Sequence, residues 1–320
     1  MTALVAACSK TAEPAPPAAT SNASVAVLVS APPVARGKLA GARAAPERVV
    51  AVGDLHGDIA SVRRAFRLAG AVDAQDAWIG GKLVVVQTGD LIDRGDDDRA
   101  ILDLTDKWKT AAQAAGGELI ELVGNHEIMN AQLDFRYVTP GAYRAFSDVT
   151  PKDDAMAQRE VDLEREKRGR ASAFLPGGPY AKMLSRRPVV ARVGNTLFVH
   201  GGLTPKYAPR LDAINDGARA FFSGEVRDPP KDLLDQDGPV WTRELSGEPT
   251  PTAAACADLD RTLGLLDAKR LVMGHTVQKD ISAACSDKAW RIDVGMSRAY
   301  HGPIEVLEFK GDVANVLKEH

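Results

Sequence analysis

Cysteine is scarce in this chain. Its 320 residues hold three, Cys8, Cys256 and Cys285. Cys8 lies in a segment of its own, so the rest can form one disulfide at most. Cys256 and Cys285 pair if the protein reaches an oxidising compartment, and are otherwise two separate buried thiols. An excess of either charge is also missing. The 40 Lys and Arg stand against 43 Asp and Glu, a formal net charge of −3, which leaves no electrostatic case for nucleic-acid binding. No apolar run has the length of a membrane span. Helical and strand periodicity are absent from residues 9–46, where Ala, Pro, Ser and Val dominate, and this stretch is expected to be a disordered linker. Residues 47–320 remain, enough for a substantial α/β core.

The periodic part begins with Arg48-Val49-Val50-Ala51-Val52, a short apolar run ending at Gly53 and read as a buried strand. Asp58 then stands as an N-cap before Ile59, Val62, Phe66 and Ala69, which share one helical face. Leu83 to Val86 reads as a second strand, Ala100 to Ala115 as a helix stopped by Gly116-Gly117, and Leu119 to Val123 as a third strand. This alternation predicts a parallel sheet with right-handed crossovers. Further on, Val189 to Val193 and Leu197 to Val199 flank Gly194-Asn195, a hairpin signal. Strands are also expected at Arg270–Met273, Trp290–Val294, Ile304–Glu308 and Val313–Leu317. Between the halves, about 135–187 reads as a helical insertion. Its basic run Lys167-Arg168-Gly169-Arg170 follows an acidic one and is expected on a solvated helix with i,i+4 pairs.

Five segments next to these strands carry chemistry. They are Gly53-Asp54-Leu55-His56-Gly57, Gly89-Asp90-Leu91-Ile92-Asp93-Arg94-Gly95, Gly124-Asn125-His126-Glu127, Val199-His200-Gly201-Gly202 and Gly274-His275-Thr276. Singly they mean little, because Asp, Asn and Gly are ordinary turn residues. In an open parallel sheet, however, the carboxyl ends of the strands lie along one edge, so the fold gathers them. Carboxylates, an amide oxygen, imidazoles and an arginine form the inventory of a two-metal phosphate-cleaving site. The order and spacing resemble the calcineurin-like metallophosphoesterases, over roughly residues 47–310.

That resemblance implies an α/β fold with a central two-sheet β-sandwich flanked by helices, and a helical cap inserted in it. It implies two divalent or trivalent ions, with Mn, Fe or Zn suiting mixed oxygen and imidazole ligands. Asp54 and His56 would hold the first, Asp90 both, and Asn125, His200 and His275 the second. His126 is left free as the general acid that protonates the leaving oxygen, oriented by Asp93. Arg94 offers a planar fork for two phosphate oxygens, and Arg243, in Gly238-Pro239-Val240-Trp241-Thr242-Arg243, is the candidate for a second.

GDxxDRG and NHE mark the phosphoprotein-phosphatase branch. Ile128-Met129-Asn130, Asp134 to Val138 and Ile292 to Ser297 depart from the eukaryotic serine/threonine enzymes, and together with Gly238 to Arg243 and Gly274 to Gln278 they look like the Shewanella-like protein phosphatases. The expected substrates are phosphorylated proteins or small phosphomonoesters. The cap between Ala142 and Leu184 and the loop Met296 to His301 are expected to wall the pocket and to favour phosphotyrosine. A diadenosine-tetraphosphate-type hydrolase shares three of the motifs, and a non-catalytic metal- or phosphate-binding lipoprotein is the reading from another class. Leu4-Val5-Ala6-Ala7-Cys8-Ser9 looks like a bacterial lipoprotein processing site, so lipidated Cys8 and a periplasmic, membrane-attached location are expected.

Overall fold

The computed structural model describes residues 39–319, so the Cys8 motif and residues 9–38 lie outside the described residues. The valine-rich run Arg48–Val52 forms β1, followed by α1 (Ile59–Leu68), β2 (Val84–Gln87), α2 (Asp98–Ala114) and β3 (Glu118–Glu121). The three strands pair in parallel, Val50 beside Val85 and Val85 beside Leu119. Asp58 caps α1, its carboxylate accepting from the N–H groups of Ala60 and Ser61 at 3.1 and 3.3 Å. α2 stops where Gly116 turns left-handed, at φ +80°, and the Gly117 N–H returns to the Ala112 carbonyl at 2.8 Å.

After β3 the chain turns at once into α3 (Asn125–Ala131). The insertion follows as α4 (Pro140–Arg144), α5 (Asp154–Glu160), α6 (Arg165–Phe174) and α7 (Pro179–Leu184). It has a small core of its own in Phe135, Tyr143, Met156, Ala171 and Leu175. The hairpin β4 (Val190–Val193) and β5 (Thr196–Val199) comes next, then α8 (Leu211–Ser223), α9 (Ala253–Leu266), β6 (Arg270–Met273), β7 (Ser282–Ala284), β8 (Ala289–Arg291), β9 (Glu305–Lys310) and β10 (Val313–Lys318). The strands form two mixed sheets, β10-β9-β1-β2-β3, parallel from β1 to its β3 edge, and β4-β5-β6-β8-β7, parallel at its centre. Inward residues of both, Val50, Val85, Phe198 and Val272 among them, are fully buried in one continuous core. Among the described residues, no helix is long and apolar enough to cross a membrane.

Several expectations need correction. Residues 39–46 are not free linker: Leu39 is buried, the Ala40 N–H donates to Asp212 Oδ1 at 2.7 Å, and Arg43 bridges Val193. Helices α8 and α9 and strand β7 were not foreseen. The basic run does fall on α6, and exposed Lys167 pairs with Glu164 at 3.0 Å. Arg170, expected in solvent, is instead fully buried. Cys256 and Cys285 form a disulfide that ties α9 to the turn after β7.

Candidate metal and phosphate site

Each motif residue sits at the carboxyl end of a parallel strand or in the turn beyond it: Asp54 and His56 after β1, Asp90 after β2, Asn125 and His126 after β3, His200 after β5, His275 after β6. The loops are tied to one another. The N–H groups of Leu55 and His56 both donate to the Asp90 carbonyl at 3.0 Å, His275 N–H to Asp54 Oδ2 at 3.0 Å, and His126 N–H to Asp90 Oδ1 at 3.0 Å. Buried Glu127 draws the Asp90 and Leu91 N–H groups to one carboxylate at 3.0 and 2.9 Å. These ties hold His56, Asp90, Asp93, Arg94 and His275 in the left-handed region, at φ between 44° and 72°. Such conformations cost a non-glycine residue about 1–3 kcal/mol each and persist only when the surroundings over-determine them. Glycine neighbours admit the close approach. A Cβ at Gly124 would lie 2.2 Å from Asp90 Oδ1, and one at Gly274 2.2 Å from Asp54 Oδ1.

The side chains converge with their lone pairs inward. His200 Nδ1 lies 2.8 Å from the Thr88 carbonyl, His275 Nε2 3.1 Å from that of Trp241, and His56 Nδ1 3.3 Å from that of Ile92. A carbonyl can only accept, so each of these nitrogens carries the proton and the other ring nitrogen keeps a lone pair, free to act as a donor to a metal. Those free donors meet. His200 Nε2 is 3.2 Å from His275 Nδ1, 2.9 Å from Asn125 Oδ1 and 3.3 Å from Asp90 Oδ2. On the other side of Asp90, His56 Nε2 lies 4.0 Å from Asp54 Oδ2 and 3.9 Å from Asp90 Oδ2. Burial holds His56 down at about 4 and His275 at about 2, so both rings are neutral at neutral pH. Burial, Asp293 and Asp90 push the Asp54 carboxyl well above the usual carboxylate range. Its Oδ1 is buried without a hydrogen-bond partner. Opposed lone pairs, crowded carboxylates and an orphaned oxygen are what a cation relieves, so the donor set fits metal.

His126 differs from the other three. Its Nδ1 is 2.7 Å from Asp93 Oδ2, a carboxylate rather than a carbonyl, while its Nε2 faces the cleft 3.8 Å from Asp90. Burial works against its charge, yet Asp90 and Asp93 outweigh it and hold its pKa near 9. Asp93 also accepts from Asn130 Nδ2 at 3.0 Å and Arg170 Nη2 at 2.8 Å. In the cleft, of about 330 Å³, the Arg94 guanidinium lies over two aromatic rings, 4.2 Å from the centre of Tyr137 and 5.0 Å from that of Tyr300. Arg243 borders the same cleft and donates to the His275 carbonyl at 2.9 Å.

All ten residues singled out from the sequence are therefore at one place. The walls differ from expectation. Tyr300 comes from the expected loop, but no residue between 142 and 184 lines the cleft. Asp134, Arg136 and Tyr137, just before α4, do so instead. The sequence reading also missed Asp293, buried beside Asp54, whose carboxyl burial raises to about 6, and the residues behind Asp93.

The sequence profile of the calcineurin-like phosphoesterases matches residues 47–279. The chain belongs to that family and is a hydrolase of phosphoesters. Within it, similarity is high to Shewanella-like protein phosphatase 2 of Arabidopsis thaliana, 39% identical over 83% of this chain and 76% of the relative. Shewanella-like protein phosphatase 1 of Plasmodium berghei is 30% identical over 78% and 67%. The crystal structure of a cold-active protein-tyrosine phosphatase from a psychrophilic Shewanella species shares the fold, with a TM-score of 0.67 at 23% identity over 87% of this chain and 82% of that one.

Proposed function

We propose that the protein is a dinuclear-metal phosphomonoesterase of phosphoproteins, with phosphotyrosine its better substrate. One observation carries the reading. Two groups share Asp90, one with His56 and His126 and with Asp54 4.0 Å from His56, the other with His200 and His275 and with Asn125 2.9 Å from His200, and they open on a cleft bordered by Arg94 and Arg243. Ions held there would polarise the phosphoryl group and make water nucleophilic at neutral pH. Arg94 and Arg243 grip phosphate oxygens through guanidinium forks. His126, held by Asp93, delivers a proton from Nε2 to the leaving oxygen. Because its Nδ1 is committed to a carboxylate that favours the charged ring, His126 is assigned to the acid rather than to the ligands.

The choice of tyrosine rests on the walls. Tyr137 and Tyr300 both lie close to Arg94 and line the cleft, so they are the aromatic walls a phenyl ester would meet. Such pairs contribute about 0.5–1.5 kcal/mol beyond burial, roughly two- to twelve-fold in kcat/KM. Named relatives include both protein phosphatases and a tyrosine phosphatase fold, which supports a protein substrate. The test is elemental analysis of the purified protein, with kcat/KM on matched phosphotyrosine, phosphoserine and dinucleotide substrates at equal salt. About two ions per chain and a phosphotyrosine preference are expected. Faster cleavage of dinucleotides, or of phosphoserine peptides, refutes the substrate assignment.

A further inference from the structure

We propose that Arg170, carried by helix α6 of the insertion, is a positioning residue for the proton donor. It acts through Asp93 and rests on the assignment of His126 as acid. Its side chain is fully enclosed, and so are those of Asp93 and Asp98. Nη2 lies 2.8 Å from Asp93 Oδ1 and 2.7 Å from Asp98 Oδ2, so one nitrogen joins the two carboxylates. Nε donates to Asn130 Oδ1 at 2.7 Å. With its oxygen occupied, Asn130 must turn its amide nitrogen to Asp93, which it meets at 3.0 and 3.1 Å, and to the His126 carbonyl at 2.9 Å. Asp98 Oδ1 in turn accepts from the Asp93 N–H at 3.1 Å. The guanidinium packs against Phe174 and Phe146, 4.9 and 5.3 Å from the ring centres.

These contacts share one consequence. Asp93 Oδ1 is held by Arg170 and Asn130, which fixes the carboxylate plane and aims Oδ2 at His126 Nδ1. A buried ion pair is a poor device for stability, since well-packed apolar side chains do as well. Here the polar contacts of Arg170 end on Asp93 and on the two residues, Asn130 and Asp98, that brace it, apart from a 3.4 Å contact to the Ala142 carbonyl. The insertion thus serves the chemistry from behind while supplying no residue between 142 and 184 to the cleft.

The test compares phenyl phosphate, whose leaving group needs a proton, with p-nitrophenyl phosphate, whose leaving group needs it less, on the metal-loaded full chain. For Arg170→Met, kcat on phenyl phosphate should fall about 10–100-fold and on p-nitrophenyl phosphate about threefold at most, a part of the 10²–10⁴ that acid catalysis contributes. KM, vanadate inhibition and metal content should not move. Added to Asp93→Asn, the same change should cost little more, because its route is already cut. If Arg170→Met does not fold, Arg170→Met with Asp98→Asn removes one carboxylate with the cation, and the same ratio is read. Equal losses on both substrates, or a full effect in the Asp93→Asn background, overturn the inference. If His126→Ala itself fails to separate the substrates, the acid assignment falls and this inference with it. A split for His126→Ala but none for Arg170→Met overturns this inference alone.

Discussion

Replacing Asp93 by Asn changes one atom and asks the most of the site. Asp93 is fully buried and receives three donors, His126 Nδ1 at 2.7 Å, Arg170 Nη2 at 2.8 Å and Asn130 Nδ2 at 3.0 Å. A carboxylate accepts from all of them. An amide has one oxygen and one NH2, so whichever way it turns, an N–H faces another donor. A buried clash of that kind costs about 1–3 kcal/mol, which lowers Tm by about 2–6 °C in a domain this size. The kinetic cost is larger. If the NH2 faces His126, the ring must present a bare Nδ1, and the charged form that Asp93 favours is lost. The expected fall in kcat is about 10²–10⁴, or ~3–5 kcal/mol of barrier, for an aryl phosphate with a poor leaving group. Metal content should stay at the wild-type level, since Asp93 touches none of the inward donors. The assay is steady-state hydrolysis of phenyl phosphate, with elemental analysis and a thermal melt on the same sample. A variant that keeps wild-type kcat, or that loses its metal along with its activity, refutes the reasoning.

Three further outcomes are expected. Asp90→Asn should lower metal content and turnover together, because Asp90 is common to both donor clusters; full occupancy by elemental analysis with wild-type turnover would remove it from that role. Arg94→Lys and Arg243→Lys should weaken competitive inhibition by inorganic phosphate, since an ammonium cannot reproduce the fork, and unchanged inhibition in either variant takes that residue out of the phosphate site. Replacing Cys256 and Cys285 by Ser opens a link across 29 residues, about 3–4 kcal/mol by loop entropy and a Tm loss of about 5–10 °C, with little change in kcat; a melt unaffected by the substitution or by reductant contradicts it.

The convergence of the candidate metal-binding residues was legible because most of them are announced by local grammar. An apolar run ends in Gly, and the next residues carry the donor, so the strand places the side chain and the glycine lets the loops close. Gly53-Asp54, Gly89-Asp90, Gly124-Asn125 and Gly274-His275 all follow this form. The parallel sheet, the β4–β5 hairpin and the Asp58 cap were legible for the same local reasons. β7, three residues of Ser and Ala, has no apolar period to announce it. The buried positions of α8, Leu211, Ile214, Ala218, Phe221 and Phe222, do share a helical face, but no motif marks the segment. The cleft walls could not be read, since which loop reaches an active site depends on tertiary packing. Arg170 was hidden more thoroughly. It ends a basic run that looks solvated, and the one sign of its burial is the glycine before it, where a Cβ would lie 2.2 Å from the Phe146 carbonyl.

That hidden arginine matters because of how the charges divide. Asp54, Asp90, Asp93, Asp98 and Asp293 are all buried at or beside the same strand ends. Buried carboxylates need cations, and the chain supplies them unevenly. Arg170 answers Asp93 and Asp98 from within the fold. Toward Asp54, Asp90 and Asp293 the chain offers imidazoles and no guanidinium of that kind: burial keeps His56 and His275 neutral, while Asp90, 3.3 Å from His200 Nε2, raises His200. The deficit therefore lies on the side of Asp90 away from Asp93, where the free donors converge and where ions are proposed. His126 stands between the two regions, 2.7 Å from Asp93 and 3.8 Å from Asp90. As the proposed proton donor it needs a fixed partner, and Arg170 and Asn130 hold Asp93 Oδ1 so that Oδ2 stays aimed at His126 Nδ1.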